Sequence, residues 1–146
     1  MGEARLEVVL SRLRDEGVRV TLPRRAIVTA LLDAGHDHVT AEDLTAQVQA
    51  EHPDVHASTV YRTLDTLERL EVVYHVHLAH RAAVYHLAED AHLHLVCASC
   101  GAVVEVPEPT FRTLADGLHR GFRFTPEVRH FALSGHCDRC SPPDPH

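Results

Sequence analysis

Lysine is missing from this chain of 146 residues: all fourteen basic residues are arginine. Genomic base composition suffices to explain that absence, and no function is read from it. Long apolar runs are missing too, with nothing near the ~18 residues of a membrane span, which argues against a membrane-spanning helix. The opening Met1-Gly2-Glu3-Ala4-Arg5 lacks the apolar core of a secretory signal, so a soluble, cytoplasmic protein without a membrane partner is expected. A positive balance is lacking as well. The formal charge of -7 argues against a general polyanion binder, although a local arginine cluster can still meet DNA on an acidic molecule.

Cysteine is scarce but ordered. All four occur in two pairs, Cys97-x-x-Cys100-Gly101 and Cys137-x-x-Cys140, separated by thirty-six residues. Two thiolate pairs of this form suit tetrahedral zinc, each pair making a short knuckle whose amides face the sulfurs. The alternative is two disulfides in a small secreted domain, but four cysteines in a chain of this length are not disulfide-dense. The interval exceeds that of a local zinc ribbon, about 15 to 20 residues. Whole elements must lie inside it, so the ion would tie the strand ending at Cys97 to the far end of the chain. Histidine, by contrast, is abundant at fourteen residues. Neutral imidazole is the commonest metal ligand and binds only when deprotonated, which couples metal occupancy to pH.

Hydrophobic spacing predicts helices first. Leu6, Val9, Leu10 and Leu13 share a helical face over residues 3 to 16, and Gly17 follows as a stop. A second helix starts at Thr21-Leu22-Pro23, with proline in the first turn, and buries Ile27 and Leu31 before Gly35. Thr40-Ala41-Glu42-Asp43 reads as a capping box opening a third helix through Leu44 and Val48. A fourth, capped at Ser58 or a neighbour, places Val60, Leu64, Leu67 and Glu71 on one face and Thr59, Tyr61, Arg62, Asp65 and Arg69 on the other. Val72 to His77 and Ala83 to Leu87 then alternate around a polar turn as a β-hairpin. Three helices, a longer fourth and a hairpin outline a winged helix-turn-helix.

The acidic Ala88-Glu89-Asp90-Ala91 is the natural hinge. Beyond it, His92 to Cys97 and Ala102 to Val106 read as paired strands, Thr110 to Leu118 as a helix and Val128 to Ser134 as a third strand. A module this small has a thin core, which zinc and dimerisation would supplement. The expected class is therefore α+β: a winged helix-turn-helix DNA-binding domain over 1–87, a hinge at 88–91, and a small α/β dimerisation domain braced by zinc over 92–146.

Tyr61 and Arg62 on the fourth helix suit a DNA reader. A ring edge can pack on thymine methyls, and arginine can bond guanine or hold phosphate. The alternative is a half-packed tyrosine beside a solvated arginine.

Four segments occur in one order: Arg19-Val20-Thr21-Leu22-Pro23-Arg24-Arg25, Ser58-Thr59-Val60-Tyr61-Arg62-Thr63-Leu64, His92-x-His94-Leu95-Val96-Cys97-x-x-Cys100-Gly101 and Gly135-His136-Cys137-x-x-Cys140. Together they resemble the ferric uptake regulator (Fur) family of bacterial metal-dependent repressors over nearly the whole chain. The resemblance implies a homodimer that binds palindromic, AT-rich DNA operators when loaded with metal. It implies DNA contacts by Arg19, Ser58, Thr59, Tyr61 and Arg62, and a regulatory metal pocket of His38, His86, His92, His94 and Glu105. His75, His77 and His130 match a second histidine site of the nickel-responsive branch, whose wing pattern is also the closest; the alternative is an exposed strand with incidental histidines.

Departures from the family pattern bear on the metal. His86 stands where iron sensors usually carry glutamate and peroxide sensors aspartate, Ala91 interrupts the histidine run, and Arg112 sits near a usual glutamate. With every thiol assigned to structural zinc, the sensing ligands are imidazole and carboxylate, which suit nickel, iron(II), zinc or cobalt better than copper(I). Nickel is the first expectation and iron(II) the second, with a zinc- or peroxide-responsive member as alternative. The rival from another class is a zinc hydrolase or deaminase. Four cysteines close the zinc shell, and no His-x-Glu partner precedes a Pro-Cys-x-x-Cys segment, so an enzyme is not expected. A constitutive DNA reader or metal buffer is the remaining alternative.

Overall fold

The structure is a computed structural model that describes residues 2–35, 37–78, 81–90, 92–130 and 132–140, His130 by its backbone alone. Contacts divide the chain into two units: residues 1–75 with 84–90, and residues 76–83 with 91–146.

The first unit is built on four helices. In α1 (Gly2–Asp15) Leu6, Leu10 and Leu13 recur at the helical period and are buried. α2 (Leu22–Ala34) is capped by Thr21, whose Oγ1 accepts from the Arg24 amide at 3.4 Å, and it buries Ile27, Val28 and Leu31. α3 (Ala41–Glu51) opens on the expected box: the Asp43 amide donates to Thr40 Oγ1 at 3.1 Å and the Thr40 amide to Asp43 Oδ2 at 3.0 Å. α4 (Ala57–Arg69) buries Val60, Leu64 and Leu67 completely. Thr63 and Thr66 join that stripe, because their hydroxyls bond back to the Thr59 and Arg62 carbonyls at 2.8 and 2.9 Å.

Three details of this unit differ from expectation. His56 occupies the cap position of α4 without a side-chain bond, so Ser58 lies within the first turn. Glu71 stands past the helix with φ 56°, where the chain reverses toward β2 (Val73–His77). A two-residue strand, β1 (Val39–Thr40), joins the hairpin of β2 and β3 (Ala83–Leu87) to give the order β1-β3-β2, with Val39 opposite Tyr85. Two residues are too short for a period to be visible, and the pairing brings the loop between α2 and α3 to the side of β3.

In the second unit β4 (Leu93–Cys97) is the central strand, antiparallel to β5 (Val103–Val106) and parallel to β6 (Ala132–Gly135). A parallel neighbour needs a crossover, and α5 (Glu108–Phe122) lies within it. This helix is longer than residues 110–118. Pro107 and Pro109 sit at its cap and first turn, where a proline lacks only an amide the helix would not use. The third strand is shorter than expected, and Val128–His130 form a 3-10 turn instead. His94 faces Ala132, so residues before 131 lie beyond the start of β4 and have no strand to pair with. Among the described residues no helix is long and apolar enough to cross a membrane.

Candidate metal centres and nucleic-acid interface

The end of β4 brings the two cysteine pairs together. Gly101 at φ 72° turns the first knuckle: its amide donates to the Cys97 carbonyl at 2.8 Å, and the Cys97 amide donates to Ala102 at 2.9 Å. The parallel register sets Cys97 opposite Gly135, so the second pair follows directly from β6. The Cys140 amide closes that knuckle on the Cys137 carbonyl at 2.9 Å.

All four sulfurs lie within 4.8 Å of one another and none is in a disulfide. Cys100 Sγ and Cys137 Sγ are 3.8 Å apart. Zinc–sulfur bonds of about 2.3 Å give a tetrahedron with edges of about 3.8 Å, so the donor set fits that ion.

Backbone amides, first that of Cys137, which donates to Cys97 Sγ at 3.4 Å, and then that of Cys100, push the Cys97 thiol down to about 5. The thiols of Cys100 and Cys137 push Cys140 up to about 12. Four adjacent thiols resist full ionisation because each new thiolate meets those already formed, and a divalent cation among them removes that opposition. Outside the sulfurs, Ser99 Oγ meets His136 Nδ1 at 2.9 Å and bridges the two knuckles.

Around the start of β4 the second unit gathers three other ligands, one before the strand, one on it and one on β5. His94 is fully buried and faces Glu105 across the β4–β5 ladder, while His92 Nε2 lies 3.4 Å from Glu105 Oε1. The two imidazole centroids are 4.3 Å apart. His92, His94 and Glu105 each offer one ligand atom within 4.8 Å of the others. In the first unit, the β1–β3 pairing sets His38 edge-on to His86 at 5.2 Å between centroids. Tyr74 stacks on His86 with ring centroids 5.3 Å apart, and both are buried.

The second histidine set is described only in part. His75 is held by Glu68 of α4, which accepts from its amide at 3.1 Å and touches its Nδ1, and its ring lies 5.9 Å from that of Tyr85. His77 is exposed at the end of β2, and the side chain of His130 lies outside the described residues. Glu68 was missed in the sequence because a lone glutamate at the end of an amphipathic helix carries no pattern.

Tyr61 and Arg62 stand exposed on α4, with Ser58 exposed and Thr59 half-buried one turn earlier. Arg19 is exposed before α2, and its carbonyl accepts from Arg24 Nη1 at 2.7 Å. The Tyr61 hydroxyl donates to Glu42 Oε1 at 2.8 Å. This partner was also missed, since Glu42 read only as a residue of the capping segment.

A helical unit with a three-stranded wing, followed by a unit carrying a four-thiol cluster and a histidine–carboxylate set, defines a metal-responsive transcriptional regulator. Residues 15–127 match the Ferric uptake regulator family, and the chain belongs to it. It is 32% identical over 143 residues to a ferric uptake regulation protein of Bacillus subtilis, covering 95% of this chain and 96% of that protein. The peroxide-responsive repressor PerR of Staphylococcus saprophyticus is 25% identical over 138 residues, covering 94% and 93%. Among solved structures, the ferric uptake regulator of Pseudomonas aeruginosa with manganese superposes with a TM-score of 0.72 at 30% identity, covering 89% of this chain and 98% of that one. The family is one of regulators, and the chain is not an enzyme. The names of these relatives lend no support to the nickel branch.

Proposed function

We propose that the chain is a homodimeric repressor of metal homeostasis genes that binds palindromic operators in the cytoplasm when a divalent metal occupies a regulatory site. The observation that carries this reading is the pair of donor sets gathered about the two ends of β4: thiols around its end at Cys97, and around its start the imidazoles of His92 and His94 with the carboxylate of Glu105 on β5. Cys97, Cys100, Cys137 and Cys140 would hold structural zinc. His92, His94 and Glu105 would hold the regulatory ion together with His38 and His86 of the winged-helix domain. The bound ion would supply a bond network joining the two domains and so fix the spacing of two recognition helices, which must match the helical repeat of DNA. Arg19, Ser58, Thr59, Tyr61 and Arg62 are the proposed DNA contacts.

The homodimer is supported by the row Val104, Leu95 and Leu133. These residues lie in register across three strands and stand 55%, 38% and 39% exposed. α5 adds a helix without one buried residue. The names of the relatives favour iron(II) as the regulatory metal, and the His75-Val76-His77 pattern favours nickel. The peroxide-responsive relative keeps that response as a second reading.

The deciding experiment titrates anaerobically purified protein with iron(II), nickel, manganese and zinc against duplex DNA from upstream of its own gene. The expected result is binding that requires one of these metals in the wild type and is absent in His92→Ala, which retains its fold and structural zinc. Metal-dependent binding by His92→Ala would sink the pocket assignment. Binding by wild type without regulatory metal would make the chain a constitutive reader.

A further inference from the structure

The bond between Tyr61 and Glu42 joins two helices at the surface proposed to read DNA. Glu42 sits in the first turn of α3, where the Thr40–Asp43 box holds the backbone. Its carboxylate accepts from the phenol at 2.8 Å, and that bond lowers the Glu42 carboxyl and raises the Tyr61 hydroxyl from their ordinary values. Both shifts favour one arrangement: an ionised acceptor and a protonated donor.

A phenol has a single proton to donate. Base edges in the major groove present acceptors at purine N7, guanine O6 and thymine O4. With its proton given to Glu42, Tyr61 has none for these acceptors, and its ring is tethered at the far end. The phenol oxygen can still accept from an amino group, but thymine presents none in the major groove, so at a thymine the ring edge, which suits its methyl, is the part left for recognition. We infer that Glu42 is a positioning residue that commits the Tyr61 hydroxyl and so makes Tyr61 an apolar reader. The inference rests on the proposed DNA-binding function. The Glu42 charge also opposes nearby phosphates, an effect that is the same for every sequence.

The charge and the hydrogen bond can be separated. Glu42→Gln retains an acceptor oxygen and loses the charge, whereas Glu42→Ala loses both. The full-length, metal-loaded protein is measured against its own upstream duplex, a scrambled duplex of equal length, and upstream duplexes in which single thymines are replaced by uracil. Loss of one contacted methyl is expected to weaken wild-type binding about fourfold. Glu42→Gln should tighten binding to every duplex alike and keep that fourfold difference; Glu42→Ala should erase it. The Tyr61 ring resonance without DNA should move in Glu42→Ala and hold in Glu42→Gln.

A methyl dependence retained in Glu42→Ala, or an unmoved Tyr61 resonance, overturns the positioning role while leaving the regulator intact. A wild type indifferent to every uracil overturns apolar reading. Failure of the wild type to separate upstream from scrambled DNA with any metal overturns the DNA-binding reading, and this inference with it.

Discussion

At the scale of single residues, small polar side chains set where helices begin and hold. Thr40 and Asp43 satisfy each other's backbone at the start of α3, and Thr40 Oγ1 also donates to the Asp43 carboxylate at 2.8 Å. The Thr40 amide first, and then its hydroxyl, hold the Asp43 carboxyl below the usual carboxylate range. Thr40→Ala is expected to cost about 1 kcal/mol near neutral pH, as lost caps do, read from denaturant midpoints. Because the folded carboxyl is the stronger acid, its contribution is complete above the unfolded value near 3.8 and disappears as pH falls through the lower, folded one. The gap between wild type and Thr40→Ala should therefore narrow in that acid window, and a gap that widens there would contradict the assignment. This box was legible because its spacing is local. The Tyr61–Glu42 and His75–Glu68 contacts were not, since each joins residues whose separation follows no period and depends on how α4 meets its neighbours.

At the scale of elements, periodicity revealed α1 to α4 because each buries one face, and it revealed α5 by spacing alone, since none of that helix's residues is buried. The limits of β6 and the existence of β1 were hidden, since both follow from a partner strand rather than from their own residues. Alternation likewise could not say that the Val104–Leu95–Leu133 row would stay exposed. An exposed apolar row of this kind on a small module is where the proposed homodimer interface is tested. Leu95→Arg, which sets a charge at its centre, is expected to shift the protein from dimer to monomer in sedimentation velocity while its helical signal is unchanged. A variant that sediments as a dimer would move the interface elsewhere, with α5 the next surface to test.

At the scale of the whole molecule, the four thiols join two distant stretches of the sequence, and the structure brings them together. Their spacing specified both pairs, and the parallel β4–β6 register explains how thirty-six intervening residues are closed. Cys100→Ser is expected to lose bound zinc, measured by metal analysis, and to speed amide exchange in β4 and β6 while α1 to α4 keep their protection. Full zinc content in that variant would refute four-thiol coordination. The same register orders events in time. Cys97 and Cys100 leave the ribosome about 40 residues before the second pair, which at roughly 5–20 residues per second is a delay of about 2 to 8 seconds. Throughout that delay a nascent chain offers only half a binding site. The last strand and the last ligands arrive together, so the clasp shuts only on a chain whose sheet can be completed.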